Sequence, residues 1–306
     1  MILVIGSINM DIALNVKCIP SPGQTVISNS SFLSPGGKGA NQAVAAAKPG
    51  GEVVFLGCVG NDTYGDQLLT SLQDAGVNTD YVIRADNTCT STAYICVSET
   101  GENAIVVQPS ANRLVTPEYL SNHIDLFEKA DYCLLQMEIP DETVKKAIVL
   151  SHLFGTKVVL NPSPLEHFET SILDGVDYVI ANEDEAFTLI DFPSGVNVSA
   201  DDWIHFMRCH GIKHMVVTLR ENGSHYYCAS GVDRHFSTTA RDAVDSTGAG
   251  DAFLGAFTVA LSNGSDIETA ITYANVTAGI SVMGQGAQSS YPTREQVDAE
   301  IEGMNL

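Results

Sequence analysis

The 306-residue sequence predicts an open, doubly wound α/β fold, a mostly parallel sheet with helices on both faces, plus a small projecting β-sheet. Two patterns predict it. Apolar runs of strand length alternate with helix-period segments through most of the chain, as in a parallel sheet covered on both faces. Two segments, near 12–35 and near 89–110, break that alternation with short β-type runs and carry no helical pattern of their own.

Taken in order, strands are expected at Ile2–Gly6, Val53–Gly60, Tyr132–Met137, Lys157–Leu160, Tyr178–Ala181 and His214–Leu219. Helices are expected at Asn41–Lys48, Tyr64–Ala75, Pro117–Ala130, Glu142–Phe154, Ala200–His210, Ala252–Leu261 and Ile267–Met283. The small sheet takes in Ala93–Val97 and Ala104–Gln108, with a turn at Gly101-Glu102-Asn103. No repeat or low-complexity linker divides the chain, so 1–306 reads as one domain.

Composition narrows the function. A hydrophobic content of 44% supplies a substantial core. Met1 to Gly6 is too short for a signal peptide and lacks a basic lead-in, and no apolar run approaches a membrane span, so a cytoplasmic location is expected. The seven cysteines are scattered and odd in number, which suits reduced, mostly buried thiols. His205, Cys209, His210 and His214 suggest a metal only superficially, because Gly211 interrupts the helix and only His205 and Cys209 share a face. With 37 acidic against 15 basic residues, a formal charge of −22, nucleic acid and acidic membranes are poor partners. An anionic substrate must be met by local donors.

Two loops supply such donors. Asp245-Ser246-Thr247-Gly248-Ala249-Gly250-Asp251 runs into an apolar helical pattern, and its small residues let backbone N–H groups reach an anion at a helix N-terminus. Asp251 beside that cradle suits a base that deprotonates an attacking hydroxyl; an N-cap aspartate, worth about 1 kcal/mol, reads equally well from this loop alone. A second glycine run, Gly36-Gly37-Lys38-Gly39-Ala40-Asn41-Gln42-Ala43, also opens a helix. Neither loop is a P-loop, and Gly6-Ser7-Ile8-Asn9-Met10-Asp11 lacks the dinucleotide glycine spacing, so a nicotinamide enzyme is not expected. Polar residues close several strands: Asn9 and Asp11, Glu138, Asn161, Asn182 and Thr218. In an open parallel sheet such ends face one edge and form a polar cleft.

The two glycine loops, in this order and with Asn9-Met10-Asp11, Gln136-Met137-Glu138, Asn161-Pro162, Asn182-Glu183-Asp184-Glu185 and Thr218-Leu219 between them, resemble the PfkB carbohydrate kinase family and, within it, its ribokinase-like branch. The likeness covers nearly the whole chain. It implies a ribokinase-like fold and ATP-dependent phosphorylation of D-ribose at its 5-hydroxyl, with Asp251 as base and Gly248, Ala249 and Gly250 as the anion hole. Asn9, Asp11, Gly37, Lys38, Gly39, Ala40, Asn41 and Glu138 match the sugar-binding set, Lys38 through its side chain or its backbone alone. Asn182, Thr218, Gly223, Gly250 and Asn275 match the nucleotide set. Glu185 matches the acid that organises Mg²⁺ indirectly, although a first-turn helix acid explains it as simply. Asp245, Thr247, Ser281, Gly284, Gly286 and Ser290 match a K⁺ site beside the anion loop. The likeness also implies that the small sheet is a lid over the sugar and clasps a second copy as a homodimer. The family usually has Gly after Thr-Leu, whereas this chain has Arg220, which can face a phosphate or solvent. Another sugar or nucleoside kinase of the family, such as a fructokinase, and a non-catalytic sugar or nucleotide sensor are the alternative readings.

Overall fold

The computed structural model describes residues 1–166, 168–192, 198–239 and 241–304. The first half of the chain forms β1 (Ile2–Ile5), β2 (Asn9–Val16), β3 (Ser28–Gly36), α1 (Lys38–Ala47), β4 (Val53–Leu56), β5 (Cys58–Gly60), α2 (Thr63–Asp74), β6 (Ile83–Ala85), β7 (Ser91–Ser98) and β8 (Asn103–Gln108). There follow α3 (Pro117–Ser121), α4 (Ile124–Lys129), β9 (Tyr132–Gln136), α5 (Asp141–Phe154), β10 (Lys157–Asn161), β11 (Tyr178–Asn182), α6 (Glu183–Leu189) and α7 (Ala200–His210). The chain ends with β12 (His214–Thr218), β13 (Ser224–Cys228), β14 (Val232–Phe236), α8 (Ala249–Ser262), α9 (Ile267–Ser281) and α10 (Arg294–Gly303).

An eight-stranded sheet in the order β14-β13-β12-β11-β10-β9-β1-β4 forms the centre. Its strands from β4 to β12 are parallel, and β13 and β14 add an antiparallel edge. Alternate strand residues point to opposite faces, so Ile2 and Val4 join one core with α1, α8 and α9, while Leu3 and Ile5 join the other with α3 to α7. The expected doubly wound α/β architecture is observed. A separate four-stranded sheet, β3-β2-β7-β8, projects from it.

Several boundaries differ from expectation. Val53–Gly60 is two strands, and β5 pairs with β6 in a small sheet of its own. Pro117–Ala130 is two short helices broken at Asn122 and His123. The segments β13, β14 and α10 were not expected. Both helices that follow glycine loops start about a turn early, α1 at Lys38 and α8 at Ala249. Small residues bring these two helices close, since a Cβ on Gly255 of α8 would meet the Gln42 carbonyl oxygen of α1 at 2.7 Å. That approach places the first turns of both helices against each other. Among the described residues no helix is long and apolar enough to cross a membrane.

Candidate active site

The chain leaves β1 through Gly6-Ser7-Ile8 into β2, and so carries Asn9 and Asp11 from the central sheet into the projecting one. In β2, Asp11 lies opposite Ser34 of β3, and its carboxylate lies so close to Gly36 that any side chain there would collide with it. Burial, then the negative charges of Glu138 and Asp251, push the Asp11 carboxyl up to about 7. Asn9 is buried, and its Oδ1 accepts from Asn112 Nδ2 at 2.8 Å. Glu138, just beyond β9, accepts from Ser7 Oγ at 2.5 Å and from Lys38 N at 3.1 Å, fixing the start of α1 against the end of β1. Three carboxylates and an amide therefore face one another where a polyol could offer hydroxyl donors.

Asp251 occupies the first turn of α8 but does not cap it; the N-cap is Gly248 at φ +74°. Its carboxylate is buried and receives Asn41 Nδ2 at 3.0 Å and Gln42 Nε2 at 2.9 Å, both from α1. Burial raises its pKa; Lys38 and the two amides pull it down, and Glu138 pushes it up, for a net rise. The Lys38 side chain is not merely solvated. Burial works to lower its pKa, yet Asp251, Glu138 and Glu185 outweigh that and raise it, so the ammonium stays charged inside the cleft. The Asn41 amide is spent on Asp251 and Gln288 rather than left open.

Beyond Asp251 lies a cavity of about 160 Å³ lined by Lys38, Asn161, Asn182, Glu185, Thr218 and the loop from Ser246 to Asp251. The polar strand ends of β10, β11 and β12 thus meet the anion loop, as the sequence predicts. Of the three loop amides, Ala249 N donates to Ser246 O at 3.2 Å, while Gly250 and Asp251 precede the first intrahelical bond, Ala252 N to Gly248 O at 2.8 Å. Their N–H groups are the orphan donors of a helix N-terminus. Asn182 and Glu185 form a capping box, Glu185 N to Asn182 Oδ1 at 2.8 Å and Asn182 N to Glu185 Oε2 at 3.0 Å. Asn275 reaches Ser224 Oγ at 3.0 Å behind this wall, and Gly223 turns the chain into β13. Among the described residues Arg220 makes a long, exposed pair with Asp184, 3.4 Å.

The pfkB family carbohydrate kinase pattern matches residues 1–294. The chain belongs to the pfkB family of carbohydrate kinases. It is 39% identical to the ribokinase of Bacillus subtilis over 97% of this chain and 98% of that protein. Its fold superposes on the crystal structure of Thermotoga maritima ribokinase with a TM-score of 0.89 at 36% identity, covering 98% and 99% of the two chains. The structure of Arabidopsis thaliana ribokinase complexed with ribose and ATP aligns with a TM-score of 0.90 at 30% identity over 97% of each chain.

In this pfkB family kinase the anion loop is braced from behind. Asp245 Oδ1 accepts from Thr247 N and Oδ2 from Gly286 N, each at 2.9 Å, tying the loop to the turn around 284–290. Burial opposes ionisation of Asp245, but hydrogen bonds from Thr247 and Gly286 outweigh it and hold its carboxyl below the usual range. The Ser281 and Ser290 hydroxyls donate to Ala278 O and Ala287 O, both at 2.8 Å, and Gly284 packs against Ser290. A Cβ on Gly248 would collide with the Tyr291 hydroxyl and lie 2.6 Å from the Ala287 Cβ, and its φ is left-handed. Gly248→Ala is therefore expected to cost about 1–3 kcal/mol of stability, read as a lower urea midpoint at unchanged slope.

Five functional neighbours escaped the sequence reading as site residues. Ser7 and Asn112 hold Glu138 and Asn9, while Gln42, Gln136 and Gln288 stand around Asp251. One signal was available for two of them, Gln42 and Gln136, an amide side chain inside an otherwise alanine-rich or apolar run. His205, Cys209 and His210 lie in the last two turns of α7, Gly211 caps that helix in a left-handed conformation, and His214 opens β12.

Proposed function

We propose that the chain transfers the γ-phosphoryl group of ATP to the 5-hydroxyl of D-ribose, giving D-ribose 5-phosphate and ADP. The observation that carries this reading is the position of Asp251, a buried carboxylate between the acidic group of Asp11 and Glu138 and a cavity lined by the start of α8. Asn9, Asp11 and Glu138 orient the sugar hydroxyls, because a carboxylate takes adjacent hydroxyls in bidentate fashion and so selects which one faces Asp251. Gly37, Gly39 and Ala40 supply the backbone wall beside those acids. Asp251 accepts the proton of the attacking hydroxyl, and the N–H groups of Gly250 and Asp251, with the Lys38 ammonium, stabilise charge on the moving phosphoryl. Asn182, Thr218, Gly223 and Asn275 frame the nucleotide. The name of the Arabidopsis relative, a ribokinase complexed with ribose and ATP, supports both substrates.

The donor set fits two cations. Glu185, a carboxylate on the cavity wall, suits a Mg²⁺ that keeps its waters. Mg²⁺ bound there would neutralise phosphate charge. Asp245 and Thr247 on one segment and Ser281, Gly284, Gly286 and Ser290 on another, tied by the Gly286 N to Asp245 hydrogen bond, offer a carboxylate, hydroxyls and backbone carbonyls, a donor set that suits a large ion such as K⁺. K⁺ would stiffen the loop whose amides meet the phosphate.

The projecting sheet acts as the lid over the sugar in this reading. Phe32 of β3 and Ile105 and Val107 of β8 share the face of Asp11, following the pairings Asp11–Ser34, Asp11–Ala93 and Ala93–Val107, and all three are exposed. Apolar groups over a polar pocket suit closure on the sugar and pairing with a second copy, in a cytoplasmic homodimer.

Turnover of Mg-ATP tested across ribose, deoxyribose, fructose, glucose and several nucleosides, with and without K⁺, checks the proposal. Ribose should give the highest kcat/KM, raised by K⁺. A higher value on another sugar or a nucleoside moves the substrate within the family, and a folded protein inactive on all of them favours a sensor.

A further inference from the structure

A continuous row of buried amides surrounds the base. Gln136 Nε2 donates to Gln42 Oε1 at 2.7 Å, and Gln42 Nε2 donates to Asp251 Oδ1 at 2.9 Å. From the other side, Gln288 Nε2 donates to Asn41 Oδ1 at 3.0 Å, and Asn41 Nδ2 donates to Asp251 Oδ2 at 3.0 Å. All five side chains are buried. Every amide turns its N–H end toward the one carboxylate, and among the described residues the outermost oxygens, Gln136 Oε1 and Gln288 Oε1, have no hydrogen-bond partner. Two acceptors left unmet in the core indicate that amide orientation is set by the anion at the centre.

An inner amide has two rotamers of nearly equal shape, and the flipped one would place its oxygen against the carboxylate. Asn41 and Gln42 alone could flip when Asp251 takes a proton. The outer glutamines oppose that flip, because it would set the inner amide's N–H₂ against the outer N–H₂ unless two buried amides turned together. We propose that Gln136 and Gln288 are positioning residues for the phosphoryl-transfer base, locking Gln42 and Asn41 with their N–H ends on Asp251. The proposal rests on the reading of Asp251 as that base.

The lock favours the ionised base against its surroundings. Burial and the charge of Glu138 oppose ionisation, Asp11 adds negative charge from β2, the Tyr291 phenol lies nearby, and Lys38 of α1 is the cation facing the group. Fixed amide dipoles complete what a single lysine leaves undone. They also steady the two carboxylate oxygens, so that one of them meets the sugar hydroxyl without reorganisation.

The test is the single-turnover rate against pH, at saturating D-ribose and Mg-ATP, for the wild type, Gln136→Met, Gln288→Met and Asp251→Asn. Each methionine variant should move the acidic limb upward by about half to one pH unit, recover most of the rate at high pH, and leave ribose KM within about twofold. A limb that coincides with the wild type, with any loss uniform across pH, overturns the proposal. Should Gln136→Met fail to fold, Gln288→Met carries the same expectation on the other carboxylate oxygen. Near-normal rates in Asp251→Asn would instead sink the base assignment itself, a result separable from the behaviour of the glutamines.

Discussion

Asp251→Asn is expected to lower kcat by at least about 10²-fold, and up to about 10⁴-fold, while D-ribose affinity changes by no more than about threefold. An asparagine keeps the size of the side chain and its place in the first turn of α8, so α1 and α8 stay in register. It cannot take a proton. It also offers one oxygen where Asn41 and Gln42 present two donors, so one of those amides must turn or lose its partner. The loss should therefore fall on kcat, with sugar binding through Asn9, Asp11 and Glu138 preserved. Steady-state kinetics with a calorimetric ribose titration checks this; a variant that loses affinity and keeps kcat would place Asp251 among the binding groups.

Asp11→Asn is expected to exchange function for stability. The carboxyl titrates at about 7 in the folded protein against an ordinary 3.8. Between those values the folded state holds a proton that the unfolded chain has released, so stability falls as pH rises through that window and the full loss is present above it. Three pH units correspond to a ceiling of about 4 kcal/mol. Removing the ionisable group removes the loss. Asp11→Asn should unfold at a higher urea concentration than the wild type at pH 8, with the gap closing toward pH 4, and should bind ribose poorly. A variant less stable than the wild type at pH 8 would contradict this view of Asp11 as a strained acid kept for binding.

The parallel part of the sheet was legible because its strands are buried on both faces and so are written as apolar runs, Ile2–Ile5 and Tyr132–Gln136 among them. The edge was not. Ser224–Cys228 reads SHYYC and Val232–Phe236 reads VDRHF, with four of the latter's five side chains exposed, so no apolar pattern marks them. Helix α10 buries only Val297 and reads as a polar tail for the same reason. At the site, the glycine loops and the acids at strand ends carry local patterns and were found. Asn112 and Gln288 were not, because each acts through a partner over a hundred residues away, Asn9 at |i−j| = 103 and Asn41 at 247. Such pairings arise only when the sheet brings its carboxyl edge together. Whether Asp251 was a cap or a base could be read only after α8 was seen to start at Ala249, with Gly248 in the capping place.

The central claim is phosphoryl transfer to the primary hydroxyl of ribose, and the phosphorus NMR spectrum of the product tests it most directly. After incubation with Mg-ATP and D-ribose, the account predicts a new phosphate ester whose ³¹P signal is split by the two protons of a CH₂ group, with ADP formed in equal amount. An ester coupled to a single sugar proton, or intact ATP and free ribose beside folded protein, would contradict it.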